Sequence, residues 1–259
     1  MKNNAVIGVT GFVGSNIFKQ GVFNFSYSSS NIHEIINQSF DLVVCAGVRA
    51  EKWRANLEPD LDLQKIDNLI SFINQITTRE FILISTVDVY ANPQSVYEDS
   101  PISTDQLSPY GKHRYYLEEF VRGHFHNHLI IRLPGLIGRG LKKNFIFDLL
   151  HNPDALHLTH VDSRYQFYSL GSIWKDIQSV RKSGLPLMNF ATPPLSVGRI
   201  ATECFGTDIS VFKSSQQVTY DMRTSYAWLF NQTGDYICSE EFEITAIHDF
   251  IRAERRSSR

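Results

Sequence analysis

Three glycines spaced three residues apart are the first residues able to do chemistry: Gly8, Gly11 and Gly14, in the run Gly8-Val9-Thr10-Gly11-Phe12-Val13-Gly14. Without a Cβ, glycine lets the backbone turn tightly and approach a pyrophosphate, while a helix starting there aims free N–H groups and its positive dipole end at the anion. The apolar run Ala5-Val6-Ile7 precedes these glycines, and Val13 to Phe18 resumes at helical spacing. A bare tight turn is the plain alternative, but strand before and helix after favour a dinucleotide. Other chemistry-bearing residues do not converge. His124, His126 and His128 alternate across a helix end and a strand start with no cysteine or carboxylate cluster beside them, so no metal site is expected. Cys45, Cys204 and Cys238 are odd in number and far apart, which suits reduced core thiols rather than disulfides or a metal knuckle. Trp53, Trp174 and Trp228 read as packing residues.

The elements that must position the glycine run alternate regularly. A weak strand over Phe23 to Tyr27 leads through Ser28-Ser29-Ser30-Asn31 into a short helix at Ile32 to Asn37, and Asp41 to Gly47 has the continuous apolar character of a strand buried on both faces. A helix follows over Asp60 to Ile76, then a buried strand at Phe81 to Ser85. Next come a helix over Pro109 to Phe125, with Ser108 as N-cap, and a strand at His128 to Arg132. This rhythm predicts an α/β fold, a Rossmann-type doubly wound parallel sheet over residues 1–134 with its ligand site at the carboxyl ends of the strands. Ala46 and Gly47, at one such end, are candidate cofactor contacts. Beyond Pro134 the pattern loosens into glycine and proline punctuation, with helices near Asn144 to His151, Val197 to Cys204 and Glu241 to Arg252. Residues 135–252 are expected to form mainly a small C-terminal substrate-covering lobe, with one or two segments returning to the sheet, and 253–259 a frayed basic tail.

The glycine run Thr10-Gly11-Phe12-Val13-Gly14 resembles the fingerprint of the extended short-chain dehydrogenase/reductase family, the NAD-dependent epimerase/dehydratase group that modifies nucleotide sugars. The resemblance continues at Ser85-Thr86-Val87-Asp88-Val89-Tyr90, at Ser108-Pro109-Tyr110-Gly111, at Arg132-Leu133-Pro134-Gly135 and, weakly, at Arg164-Tyr165-Gln166-Phe167-Tyr168. It implies Tyr110 as the acid/base that exchanges a proton with a substrate alcohol or carbonyl, Thr86 as the hydroxyl orienting that oxygen, and Pro134 against the nicotinamide. The family acidifies its tyrosine with a lysine four residues later, on the same helical face. Here that residue is Arg114, which keeps a fixed charge and its donors but is planar and does not deprotonate. Lys112 lies nearly opposite Tyr110 around the helix. An Asp-Glu pair directly after the threonine would mark a 4,6-dehydratase; Val87 and Asp88 break it, which leaves reduction or epimerisation. Asp88 is either a proton donor or a carboxylate satisfied by local N–H groups.

Neither a carboxylate nor an arginine stands in Tyr27 to Asn31 to choose between dinucleotides; Ser28 and its neighbours can bond either, and the missing carboxylate tilts the reading to NADP over NAD. Substrate candidates are Asp88 and, as cations and a helix start suited to a diphosphate, Lys142, Lys143, Asn144, Arg164 and Arg223. The 259 residues carry a net charge of -2, 42 % hydrophobic and 20 % charged residues. This balance gives no electrostatic case for nucleic acid or membrane, and no apolar run approaches the roughly 20 residues of a membrane helix. A cytoplasmic protein taking a nucleotide sugar is expected, and the resemblance implies a homodimer built on the Tyr110 helix. Two functional readings stand: an NAD(P)-dependent oxidoreductase or epimerase of nucleotide-linked sugars, and a dinucleotide-binding regulatory protein that has lost the tyrosine relay.

Overall fold

The computed structural model describes residues 2–152, 159–210 and 216–257. Strand β1 (Asn4–Ile7) enters the glycine turn and α1 (Phe12–Gln20) leaves it. Strand β2 is shorter than its sequence suggests, Phe25–Tyr27, and the following helix is a single 3-10 turn over Ile32–Ile35. A two-residue strand β3 (Ser39–Phe40) precedes β4 (Leu42–Cys45), in which all residues are buried. The short α2 (Lys52–Leu57) runs into α3 (Pro59–Ile73), which starts with Pro59 and the acidic Asp60 and Asp62, a first turn that suits the helix dipole. Ile66, Leu69 and Ile73 form its buried stripe. After β5 (Thr77–Thr78) come β6 (Phe81–Thr86), β7 (Gln94–Val96), α4 (Pro109–His124) and β8 (His128–Leu133). The remaining elements are β9 (Gly135–Ile137), α5 (Phe145–His151), β10 (Arg164–Tyr165), β11 (Phe167–Ser169), α6 (Ile173–Arg181), β12 (Leu187–Asn189), β13 (Leu195–Ser196), α7 (Val197–Ile200), β14 (Asp221–Met222) and α8 (Glu240–Ser257).

Two compact units result. The first comprises Met1–Ala91, Ser100–Arg132 and Ser172–Met188. Its six-stranded sheet runs in the order β12-β8-β6-β4-β1-β2, with β1 parallel to both β2 and β4, and β4 parallel to β6. The chain steps outward from β1 to β2 and then crosses to the other side of β1, so the topological switch lies between the carboxyl ends of β1 and β4, where α/β sheets bind ligands. Ala5, Ile7, Val43, Cys45, Phe81, Leu83 and Ile130 from the strands pack against Ile66, Leu69, Ile73, Leu117 and Val121 from the helices. Each of the larger of these side chains, the valines, leucines, isoleucines and Phe81, contributes roughly 1.5–3 kcal/mol on burial.

A second device in this unit is polar. Glu118 of α4 and Arg132 of β8 are 0 % and 1 % exposed and form a two-point ion pair, Nε to Oε1 at 3.0 Å and Nη2 to Oε2 at 2.6 Å. Ser85 of β6 donates to Glu118 Oε1 at 2.5 Å, and Arg132 Nη1 to the Tyr90 hydroxyl at 2.6 Å. Buried charges persist only when paired in this way. The network fixes α4 against β6 and β8, hence the helix of Tyr110 against the strand of Thr86.

The second unit comprises Asn92–Asp99, Leu133–Gly171 and Asn189–Arg259. Its core is Ile137, Phe145, Ile146, Phe167, Leu195, Val197, Ile200, Ile247, Phe250 and Ile251. The segment that returns to the first unit is Ser172–Met188, where α6 buries Ile173, Ile177 and Val180 and β12 joins the sheet. Helix α8 continues past Arg252 to Ser257, with Arg255 and Arg256 in its last turn, where cations suit the dipole, so most of the expected tail is helix; residues 258–259 lie outside the described residues. Trp53 and Trp228 are corrections to the packing expectation: they are 60 % and 62 % exposed, whereas Trp174 packs on Phe23 at 4.9 Å. Cys45 and Cys204 are buried and Cys238 is intermediate. Among the described residues, no helix is long and apolar enough to cross a membrane.

Candidate functional site

The glycine turn is built by close backbone contacts. Gly8 adopts φ +91° and donates its N–H to Tyr27 O at 2.7 Å, and a Cβ added to it would lie 2.3 Å from Ala46 O. A Cβ on Gly14 would lie 2.1 Å from Gly8 O, so α1 presses directly on the turn. Alanine at either place collides with backbone. Gly11 is the N-cap of α1, extended and without a side-chain cap, so the first-turn N–H groups of the helix are left for a ligand.

Beside the turn lies a cavity of about 320 Å³ within the first unit. Gly8 and Gly47 at the β1/β4 switch, Ser28 and Ser29, and the apolar Leu69 and Phe72 line it, with Arg49, Arg54 and Lys65 balanced by Glu51, Glu58 and Asp62. Ser28 is ordered by Asn31, whose Oδ1 accepts from Ser28 N at 2.7 Å. Arg54 is engaged by Glu58 at 3.0 Å.

The second cluster stands at the carboxyl end of β6. Thr86 ends the strand and caps the 3-10 turn Val87–Val89, its Oγ1 accepting from Asp88 N at 3.2 Å. Helix α4 begins against this turn: a Cβ on Gly111 would lie 2.0 Å from Asp88 O, and Ser108 Oγ accepts from Gly111 N. This contact brings Tyr110, 6 % exposed, to the Thr86 turn, where the Thr86 side chain acts on its phenol. Burial pushes the Tyr110 phenol up; Arg114 opposes the rise, Asp88 adds to it, and the Thr86 side chain and Lys52 lower it. The net direction is upward.

Arg114 is buried beneath the tyrosine rather than displayed to solvent. Its guanidinium grips Asp62 through both carboxylate oxygens, with Nη2 to Oδ1 at 3.0 Å, and Nη2 also donates to Arg49 O at 2.6 Å. Its Cζ sits 3.9 Å from the Tyr110 ring centroid, so the cation covers the ring face. His113 Nδ1 meets the same Asp62 at 2.8 Å. Asp62, His113, Asn56 and Lys52 were not expected at this site. Lys52 Nζ lies 2.6 Å from Asp88 Oδ1, and Asn56 Oδ1 accepts from Tyr110 N at 3.0 Å.

Pro134 and the remaining substrate candidates belong to the second unit. Asn144 caps α5, its Oδ1 accepting from Phe147 N at 2.9 Å and its Nδ2 donating to Leu136 O at 2.8 Å. Arg164 is exposed on β10 and donates to Pro194 O at 2.8 Å. Arg223 pairs with Asp221 at 2.8 Å and lies 3.5 Å from Asp235. Among the described residues, no group of three or more His, Cys, Asp and Glu is placed to hold a metal ion.

Residues 26–155 match the model of the NAD dependent epimerase/dehydratase family. None of the curated proteins matches the sequence significantly. Among solved structures, a dTDP-4-dehydrorhamnose reductase from Clostridium acetobutylicum superposes with a TM-score of 0.70 at 17% identity, covering 98% of this chain and 99% of its own. The same enzyme from Bacillus anthracis, in complex with NADP, gives 0.71 at 13% identity, with coverages of 98% and 99%. A UDP-glucose 4-epimerase from Thermotoga maritima, with UDP-glucose, gives 0.68 at 13% identity, with coverages of 99% and 100%. The fold is the one these enzymes share.

Proposed function

The chain belongs to the NAD dependent epimerase/dehydratase family, and from that premise we propose that it is an NAD(P)-dependent oxidoreductase or epimerase acting on a nucleotide-linked sugar. The observation that carries this reading is the seating of the Tyr110 helix directly on the turn that Thr86 caps at the carboxyl end of β6, in the same unit as the glycine turn. A dinucleotide suits the residues present. The uncapped start of α1 supports a pyrophosphate held by Thr10, Gly11, Phe12, Val13 and Gly14, and the cavity from Gly8 to Ser28 and Gly47 supports the adenosine half. The Ala46 carbonyl stands so close to Gly8 that no side chain fits there, which keeps the backbone open to a cofactor at Ala46 and Gly47. The absence of a carboxylate in Ser28–Asn31 supports NADP over NAD. Bound there, the cofactor supplies and accepts hydride.

The chain's own residues then manage the proton. Tyr110 gives its phenolic proton to a substrate carbonyl oxygen or takes one from an alcohol, and Thr86 orients that oxygen by its hydroxyl. Arg114 holds the Tyr110 ring from beneath and keeps the phenol from rising as far as burial alone would push it. Val87 and Asp88 in place of an acid–base pair support reduction or epimerisation over dehydration. Asn144, Arg164 and Arg223 stay as candidate diphosphate contacts in the second unit, and a homodimer through the Tyr110 helix stays a proposal by analogy.

A regulatory, non-catalytic reading is favoured by one observation, the commitment of the Arg114 fork to Asp62 and Arg49 O. Calorimetric titration with NADPH and NADH, followed by assay against nucleotide-linked keto-sugars, separates the two. Catalysis requires hydride transfer that Tyr110→Phe abolishes while dinucleotide affinity stays within about twofold. Binding without transfer on the whole panel selects the regulatory reading, and failure to bind either dinucleotide refutes both.

A further inference from the structure

The Lys52–Asp88 pair has no place in the sequence-based account of the site, yet it stands beside the reacting phenol. Helix α2 is seated on the start of α4 by Asn56, which accepts from Tyr110 N at 3.0 Å. Lys52 lies four residues before Asn56, one helical turn away on the same face, so the contact that seats α2 also aims Lys52 at the Val87–Val89 turn. There its Nζ meets Asp88 Oδ1 at 2.6 Å, while Asp88 Oδ2 lies 3.5 Å from Thr86 Oγ1. Ala55, on the inner side of α2, is buried, whereas Trp53 and Leu57 face outward. The charged groups acting on the Tyr110 hydroxyl are Arg114, Asp88 and Lys52, with Asp62 and His113 behind Arg114.

We propose that Lys52 is a positioning residue that sets the acidity of Tyr110 by holding and neutralising Asp88, and so supplies the ammonium absent from position 114. The inference rests on Tyr110 being the acid/base of the proposed reaction. Three arguments support it. Arg114 lowers the Tyr110 phenol from a position fixed by Asp62 on the ring face, whereas Lys52 meets the carboxylate of Asp88 itself. An unopposed carboxylate beside Thr86 and Tyr110 would disfavour the phenolate. Finally, Lys52 is 45 % exposed, so its charge is easily maintained, while Asp88 at 18 % is the more enclosed partner through which that charge acts.

The test is the titration of Tyr110 itself, by NMR of protein labelled at the tyrosine ring carbon bearing oxygen, with the signal assigned by its loss in Tyr110→Phe. Lys52→Ala is expected to raise the Tyr110 pKa by about one unit and Asp88→Asn to lower it by a similar amount. The double variant should return close to wild type, as two opposed charges removed together must. Lys52→Arg should match wild type. In turnover, Lys52→Ala should shift the pH dependence of kcat by the same unit, with KM changed less than twofold. Tyr110 titration unmoved in Lys52→Ala, or a Tyr110 that stays protonated in wild type until the fold is lost, overturns the proposal. Shifts as expected in a protein that transfers no hydride leave the charge couple standing and sink the catalytic reading instead.

Discussion

Arg114→Lys places an ammonium where the family resemblance expects one, and the structure gives it a definite cost. The arginine is 5 % exposed and its fork makes two contacts to Asp62, one to Arg49 O and one to Tyr110 O at 3.3 Å, with its face on the Tyr110 ring. A lysine reaching Asp62 retains the charge and one strong contact. It loses the second carboxylate bond and the bond to Arg49 O, each worth about 1.5–3 kcal/mol in isolation, and most of the ring-face interaction, worth about 0.5–1 kcal/mol. These losses overlap, since a lysine can shift toward either partner, so a net of about 2–3 kcal/mol is expected. With a urea m-value of about 3 kcal/mol per molar for a chain of this size, the midpoint should fall by about 0.7–1 M at unchanged m. Activity should not rise, because the position is walled by Asp62 and the tyrosine ring. A midpoint within about 0.2 M of wild type, or a gain in kcat without loss of stability, would show that position 114 is a relay site and that the fork is incidental.

Gly14→Ala puts a Cβ 2.1 Å from Gly8 O and should lower dinucleotide affinity at least tenfold by calorimetry, with stability reduced by about 1–3 kcal/mol. Glu243, 2 % exposed, has its carboxyl pushed well above the usual 4.5 by burial, which the Phe167 N–H at 2.8 Å only partly offsets. Its folded pKa exceeds the unfolded one, so the folded state binds more protons and stability must fall as pH rises from 4.5 to the raised value. Glu243→Gln should flatten that decline in pH-dependent unfolding, and an unchanged slope would count against a protonated Glu243. Burial raises the Cys45 and Cys204 thiols to about 11, so a thiol reagent on the native protein should modify Cys238 rapidly and the other two only on unfolding.

The legible parts of this molecule are those encoded locally. Gly8, Gly11 and Gly14 mark a turn whose tightest contact, Gly8 O against Gly14, lies within the run itself, although Gly8 also faces Ala46 O from across the sheet. The α4 start could be read because Ser108, Pro109 and Gly111 signal a capped helix within four positions. Arg114 was visible as a departure, but its partner Asp62 is 52 residues away and leaves no spacing signal. Lys52 is 36 residues from Asp88 and Asn56 is 54 from Tyr110, so neither could be assigned before the chain was folded. A return to the sheet was expected, but which segment makes it, Ser172–Met188, was hidden by Gly171, Gly184 and Pro186, which read as loop although Ile173, Ile177 and Val180 keep helical spacing.

The two departures from the resemblance, Arg114 and the broken acidic pair at Val87-Asp88, are one physical problem. Arginine at position 114 keeps its proton at every working pH and, held by Asp62, stiffens the tyrosine ring without being able to follow its titration. Asp88 adds a negative charge close to the same phenol, which on its own would make a poor base poorer. On the proposed reading, a fixed cation under the ring and a solvent-accessible lysine on the carboxylate divide between two residues what one lysine does in the family: Arg114 gives geometry and a fixed field, and the Lys52–Asp88 couple the adjustable part. The division explains why α2 must be anchored by Asn56 to the backbone of Tyr110 itself. A lysine carried on a short helix of six residues can tune that phenol only if the helix moves with it.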